Sequence, residues 1–278
     1  MNFKISASIV LYNNNEHEIF TAIKCLLDCS LDIKIFLIDN SEFDRLRAVV
    51  MDHRIEYIFN DANIGYGSAH NIGIKKAIEL GLKYHVVMNP DISFEKGTLE
   101  NISSYMESNS DVGSLMPKIF FKDGSLQRLC KLLPTPFDLI GRRFIGNTWW
   151  TKKQNERYEL HDFDYNSILN TPCLSGCFMF VRTSVFDKSG LFDPRYFMYL
   201  EDYDLIRRIN QNSKTIFYPS VSIVHGHAKE SYKNGRLLKI HIQSAIKYFN
   251  KWGWFFDNER KRINQEILSV IKKNITSR

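Results

Sequence analysis

The first hundred residues alternate short apolar runs with stretches whose apolar positions recur every third or fourth residue. Residues 6–11, 34–38, 55–59 and 85–88 are runs of apolar side chains bounded by polar clusters, the pattern of buried strands. After the first run, Asn15 and Glu18 read as a capping pair, and Ile19, Ile23, Leu26 and Leu27 repeat at helical spacing. A second helix carries Ala69, Ile72, Ile74, Ala77 and Leu80, and Gly81 stops it. Strands alternating with helices predict an α/β chain, with a Rossmann-like, mostly parallel sheet flanked by helices. Such sheets bind ligands beyond the carboxyl ends of their strands. Asp39, Asn63 and Asp91 all fall just past those ends, so one crevice can collect them.

Past about residue 116 the alternation fails. Residues 122–166 show no sustained period and mix bases (Arg128, Lys131, Arg142, Arg143, Lys152, Lys153) with Phe137, Phe144, Trp149 and Trp150. Regular patterns return as strands at 174–182, 215–218 and 221–225, and as helix from about Leu237, where Ile263, Ile267, Val270 and Ile271 form a stripe. The expected organisation is a domain over 1–235 divided into halves at 1–115 and 116–235, which the resemblance described below implies to be the nucleotide-binding and the acceptor/catalytic half. A basic helical extension follows over 236–278.

Composition narrows the class. The chain has 278 residues, 44% hydrophobic and 24% charged, ample for a sizeable core. No apolar run approaches the roughly 20 residues of a membrane-spanning helix, and the N-terminus reads as a first strand rather than a signal peptide. Five cysteines without Cys-x-x-Cys spacing point to reduced thiols in a cytoplasmic protein and away from zinc. The net charge of +6 is concentrated toward the C-terminus. With no nucleic-acid motif present, that basic end suits solubility or anionic lipid.

Three clusters carry candidate chemistry. Asn89-Pro90-Asp91 puts a carboxylate at a strand end, a hard ligand for Mg²⁺ or Mn²⁺, although an Asx-Pro turn with a solvated Asp has the same look. His225 ends another strand, with His227 in reserve, and an imidazole tilts a site toward Mn²⁺. Glu201, Asp202 and Asp204 open a helix behind an aromatic run. Asp202 suits a general base, whereas Asp204 reads as an i,i+4 partner of Arg208. Asp39 can accept the imide N–H of uracil or thymine. Gly65 and Gly67 permit close approach to a nucleotide, without forming the dinucleotide fingerprint.

Taken in order, these segments resemble family 2 glycosyltransferases, inverting enzymes of GT-A fold, and within them the bacterial rhamnosyltransferase-type branch. The segments are Ser8-Ile9-Val10-Leu11-Tyr12-Asn13, Leu37-Ile38-Asp39-Asn40-Ser41, Asn63-Ile64-Gly65-Tyr66-Gly67 with Asn71, and Asn89-Pro90-Asp91. They continue with Ser175-Gly176, Gly190-Leu191-Phe192-Asp193, the stretch from Phe197 to Leu205, and His225. The resemblance spans roughly residues 5–230.

It implies that Tyr12, Asn13, Asp39, Asn40, Asn63, Gly65, Asn71, Asn89 and Asp91 line a nucleotide-sugar site. Asp91 and His225 are implied to hold a divalent metal, Mn²⁺ or Mg²⁺, against the departing diphosphate. Glu201 and Asp202 are the implied catalytic carboxylates, with Asp202 taking the proton from the acceptor hydroxyl. The first acid of the family's Asp-x-Asp metal motif is Asn89 here. The implied donor is dTDP-rhamnose and the acceptor a lipid-linked bacterial surface glycan of O-antigen or capsule type. A UDP-sugar donor is the alternative, as is a non-catalytic binding module. A nucleotidyltransferase needs bases after the first strand, where this chain has Tyr12-Asn13-Asn14-Asn15. Residues 122–166 then suit an acceptor-side cover. The basic tail, with Trp252, Trp254, Phe255 and Phe256, suits either packing on the domain or peripheral contact with the cytoplasmic face of the inner membrane.

Overall fold

A computed structural model describes residues 4–47, 52–141, 148–226 and 235–276. His227, Arg142, Arg143 and Phe144 lie outside the described residues. The first half forms β1 (Ile5–Leu11), α1 (Glu16–Leu27), β2 (Ile33–Asp39), β3 (Ile55–Phe59), α2 (Tyr66–Glu79) and β4 (Tyr84–Met88). Its four strands run parallel in the order β3-β2-β1-β4. β1 and β4 are buried along their whole length, as expected of strands covered on both faces. Leu11 pairs with Asp39, Asp39 with Phe59, and Ile9 with Met88, so the strands end together and their following loops gather at one edge. The chain reverses its direction of travel between β1 and β4, which opens the crevice there.

Asn15 caps α1 by accepting from the His17 N–H at 2.8 Å. Glu18 does not complete a capping box; its carboxylate instead meets Lys122 Nζ at 3.1 Å. Gly81, with φ +66°, follows the last turn of α2.

The second half adds β5 (Ile92–Phe94), α3 (Thr98–Ser108), β6 (Val112–Phe120), β7 (Leu169–Asn170), β8 (Phe178–Arg182) and β9 (Lys214–His225). The sheet continues as β4-β8-β6-β9-β5, with β8 antiparallel to both neighbours. The expected division at residue 115 therefore falls inside β6, whose near-complete burial removes any alternation that could mark it as a strand. The strand expected at 174–182 begins only at Phe178, because 174–177 turn toward the site. The strands expected at 215–218 and 221–225 are one element, β9, with a register shift opposite Pro117 and Lys118.

Within 122–166 lies a helix, α4 (Trp149–Tyr158), closed by a Thr148–Thr151 capping box. The short α5 (Phe186–Ser189) leads to α6 (Glu201–Asn210), and the C-terminal segment folds as α7 (Gly235–Trp252) and α8 (Asn258–Thr276). Ile263, Ile267 and Ile271 are buried, whereas Val270 points outward. Arg207 on α6, only 1% exposed, meets Asp257 at 2.8 Å and Glu259 at 2.8 Å and stacks on Trp252. Asp204, fully buried, accepts from Arg208, Lys251 and the Trp252 indole. The C-terminal hairpin is thus clamped to α6 from two sides. Among the described residues no helix is long and apolar enough to cross a membrane.

Candidate active site

At the edge where β1, β2 and β3 end, polar groups hold one another. Asp39 is buried; its Oδ1 accepts from the Ser41 N–H at 2.8 Å and its Oδ2 from the Tyr57 hydroxyl at 2.7 Å. Asn40 donates toward Asn63 Oδ1 and the Gly65 carbonyl at 3.4 and 3.3 Å and accepts from Asn60 at 2.8 Å. Asn13 adopts φ +53° and its N–H is taken by Ser41 Oγ, which turns exposed Tyr12 outward beside Asp39. These residues form one polar wall.

Gly65 and Asn71 both meet the protein's own chain. A Cβ on Gly65 would lie 2.4 Å from the Phe197 carbonyl, and its φ is +89°. One on Gly67 would meet the Phe192 side chain at 2.9 Å. The close approach these glycines permit is therefore to the protein's own loop 192–197. Asn71 clamps the same loop: its amide donates to the Phe192 carbonyl at 2.8 Å and accepts from the Phe192 N–H at 3.0 Å.

The second wall comes from the pairing of β5 with β9. Ile92 lies opposite His225, and Gly226 N–H donates to the Asp91 carbonyl at 3.0 Å, which brings Asp91 and His225 together. His225 Nε2 is 3.4 Å from Asp91 Oδ1 and 3.2 Å from the Asn89 amide nitrogen. Gln127 sets the imidazole: its amide donates to the His225 carbonyl at 3.0 Å, and its Oε1 lies 3.0 Å from Nδ1. An amide oxygen can only accept, so Nδ1 carries the proton and Nε2 faces Asp91. Burial works against a second proton, but Cys177 and the Asp91 carboxylate outweigh it and raise the histidine to about 10.

A carboxylate oxygen and an imidazole nitrogen converging at this spacing, with the ring oriented from behind, fit a divalent cation. Any such ion must displace the proton on Nε2. Among the described residues no third His, Cys, Asp or Glu joins the pair.

The carboxylates of α6 form the third wall. Tyr199 and Leu200 adopt φ of +70° and +66°, two successive left-handed non-glycine residues, each costing about 1–2 kcal/mol. The C-terminal hairpin supports this strained turn: Ser244 Oγ on α7 donates to the Met198 carbonyl at 2.8 Å, and His241 packs edge-on against Tyr199.

The turn delivers Asp202, whose Oδ2 accepts from the Gly176 N–H at 2.8 Å and Oδ1 from the Tyr203 N–H at 2.9 Å. A Cβ on Gly176 would lie 2.9 Å from that of Asp202, so glycine is what allows the approach. Burial raises the Asp202 carboxyl against the pull of its two N–H partners and Lys131. Glu201 is 5% exposed, and among the described residues its Oε2 finds no partner. Burial, then the charge of Asp202, push it well above the usual carboxylate range. Both carboxyls are thus raised by burial, Glu201 further by the charge of Asp202, while Asp202 keeps two N–H donors that favour its charged form.

Sequence reasoning missed Tyr66 and Gln127. The Tyr66 hydroxyl lies 2.9 Å from Asn89 Oδ1 and 2.8 Å from the Gly176 carbonyl, joining the Asp91–His225 wall to the turn that holds Asp202. Its place between Gly65 and Gly67 was the available signal. Gln127 sits in the aperiodic segment and gave none.

The sequence profile described as Glycosyl transferase family 2 matches residues 6–190. An N-acetylglucosaminyl-diphospho-decaprenol L-rhamnosyltransferase of Mycobacterium tuberculosis is 28% identical over 212 residues, 70% of this chain and 67% of that protein. Rhamnosyltransferase WbbL of Escherichia coli is 26% identical over 224 residues, 77% of this chain and 81% of WbbL. A crystal structure of GalNAc-T7 with UDP, GalNAc and Mn²⁺ superposes with a TM-score of 0.61 at 16% identity, covering 88% of this chain. This chain spans 48% of that one. Staphylococcus aureus TarS 1–349 superposes with a TM-score of 0.59 at 15% identity, over 96% of this chain and 71% of TarS. The fold is GT-A, and the chain belongs to glycosyl transferase family 2, in its rhamnosyltransferase-like branch.

Proposed function

We propose that this enzyme transfers rhamnose from dTDP-rhamnose, with inversion, to a hydroxyl of a lipid-linked surface glycan at the cytoplasmic face of the membrane. The observation that carries the reading is the connected unit Asp202–Gly176–Tyr66–Asn89–His225. It ties a proton acceptor to a phosphate-side wall through the Gly176 backbone and the side chains of Tyr66 and Asn89. The relative from M. tuberculosis, named for a diphospho-decaprenol acceptor, supports a lipid-linked substrate.

In this reading Asp39 accepts the imide N–H of the base, held in place by Ser41 and Tyr57. Asp91 and His225 would hold Mn²⁺ or Mg²⁺, with Asn89 close by in place of an acid. Bound there, the ion supplies Lewis-acid neutralisation of the diphosphate. Asp202 accepts the proton of the acceptor hydroxyl as that oxygen bonds to the anomeric carbon. The bond from that carbon to the diphosphate oxygen breaks on the opposite face. Glu201, whose carboxyl burial raises well above its usual range and which has no N–H donor on Oε2 among the described residues, is the weaker candidate for that role.

The test is sugar transfer to a polyprenyl-diphosphate N-acetylglucosamine acceptor, read by mass spectrometry. Asp202→Asn is expected to lower turnover by about 10²–10⁴ while thermal stabilisation by dTDP persists. Undiminished turnover in that variant would remove Asp202 from the role.

A second reading keeps the mechanism with a UDP-sugar. It is favoured by the UDP in the GalNAc-T7 structure, and uracil offers Asp39 the same imide edge as thymine. Stabilisation by UDP with no response to dTDP would establish it over the first.

A further inference from the structure

Phe255 is 79% exposed and Phe256 is 95% exposed, at the tip of the turn between α7 and α8. Burying them against the protein was open to the chain, since Trp254 beside them packs on Phe249. Instead the turn is built to hold them out. Gly253 has φ +96°, and a Cβ there would lie 2.6 Å from the Phe256 carbonyl. Arg260, itself buried, donates to the carbonyls of Gly253, Trp254 and Phe255 and, at 3.2 Å, to that of Pro134. The two rings therefore project from an ordered turn.

Pro134 leads into the segment whose Phe137 packs against Trp150 at 4.7 Å between ring centroids. Trp149 is 76% exposed and Trp150 is 52% exposed, and both open α4. Each aromatic pair has exposed cations close behind it in sequence, Lys152 and Lys153 in one case, Lys261 and Arg262 in the other. From residue 229 onward the chain carries twelve Lys and Arg against four Asp and Glu, so the remainder is slightly acidic and the positive excess lies in this part.

Exposed aromatics with cations close by, of which Arg262 also pairs with Glu266, match the headgroup region of an anionic bilayer, where rings enter the apolar boundary and cations meet phosphates. We propose that the turn bearing Phe255 and Phe256, together with the first turn of α4, docks this enzyme on the surface of an anionic phospholipid bilayer. Asp257 follows Phe256 directly and grips Arg207 on α6, the helix that Asp202 opens. Docking at the tip thereby fixes the catalytic helix relative to the lipid surface. The inference rests on the lipid-linked acceptor for its purpose, not for its test.

The experiment is co-sedimentation of the full chain with vesicles of phosphatidylglycerol and phosphatidylethanolamine, and with vesicles of phosphatidylcholine alone. The wild-type protein is expected to sediment with the anionic vesicles, less so as salt rises. Phe255→Ser with Phe256→Ser should weaken that binding about tenfold or more, with the melting temperature and its response to nucleotide retained. Lys152→Glu with Lys153→Glu leaves the tip intact and should also lose affinity for anionic vesicles.

Wild-type binding no greater to anionic than to neutral vesicles overturns the proposal. So does wild-type affinity in both double variants, or self-association through the two phenylalanines without lipid. Sugar transfer to a detergent-dispersed acceptor is scored separately, so loss of the docking surface and loss of the proposed activity are read in different assays.

Discussion

The two halves of this enzyme hold their polar residues in opposite ways. On the nucleotide side, Asp39, Asn40, Ser41, Tyr57 and Asn63 support one another across short stretches of chain, at the ends of strands that are neighbours in both sequence and space. On the proposed catalytic side the supports reach further along the chain, 98 residues from Gln127 to His225 and 50 from Asp257 to Arg207. His225 is set by Gln127, Asp202 by Gly176, and α6 by Asp257 from the C-terminal hairpin. Local support makes a wall that tolerates change elsewhere. Remote support makes a site that fails as a unit.

The largest expected break in that comparison is Arg207→Ala. It strands Asp257, whose side chain is 4% exposed, and should cost about 3–5 kcal/mol by chemical denaturation. The matching change on the nucleotide side, Arg54→Ala, removes a pair with Asp52 that is 30% and 27% exposed and two residues apart. That change should cost no more than about 1 kcal/mol. Equal losses in the two variants would erase the distinction.

Next in size is a pH effect inside the nucleotide half. Ser6, His85, Ser8 and His70 form a fully buried chain of contacts of 2.6–2.8 Å beneath α2. Burial depresses His85 to about 3, and burial likewise holds His70 well below its usual value. The unfolded chain titrates these rings near pH 6.5, so below that value it binds protons the folded state refuses. The stability is fully present above about pH 6.5 and is lost as pH falls toward 3, with His85 alone contributing about 2 kcal/mol by pH 5. His85→Gln should flatten the slope of denaturation free energy between pH 7 and 5. An unchanged slope would show that the ring is charged in the fold.

The smallest effect sharpens the catalytic side. Gln127→Ala removes only what orients His225, and should weaken Mn²⁺ affinity about tenfold by titration calorimetry while leaving stabilisation by metal-free nucleotide in place. Unaltered affinity would mean that the imidazole needs no orienting partner.

The same contrast decides what can be read from the sequence. In the first half the strands at 6–11, 34–38 and 55–59 lie within a residue of the observed bounds, because each is a short, mostly apolar run closed by a polar cluster. β6 is buried almost throughout and contains Pro117, so neither alternation nor turn chemistry marks it. α4 turns two tryptophans outward on its first turn, which hides the periodicity that would reveal a helix. Asp91, Asp202 and His225 stand out as candidates in the sequence because each acid or imidazole closes or opens an apolar element. The partners that orient them were not, since Gln127 and Gly176 act through contacts dozens of residues away. For Gly65, Gly67 and Asn71 the spacing suggested a ligand, and what it did not disclose is their contact with the loop 192–197.

The pairing of Ile92 with His225 has a consequence for how the protein is made. Asp91 leaves the ribosome early, and its partner histidine emerges only after most of the chain. Closing so long a loop carries an entropic cost that local contacts on the way must already have offset. A nascent chain that ends before β9 carries Asp91 without the strand that pairs beside it. Synthesis order thus delays the meeting of Asp91 and His225 until the last strand of the sheet beneath them has been made.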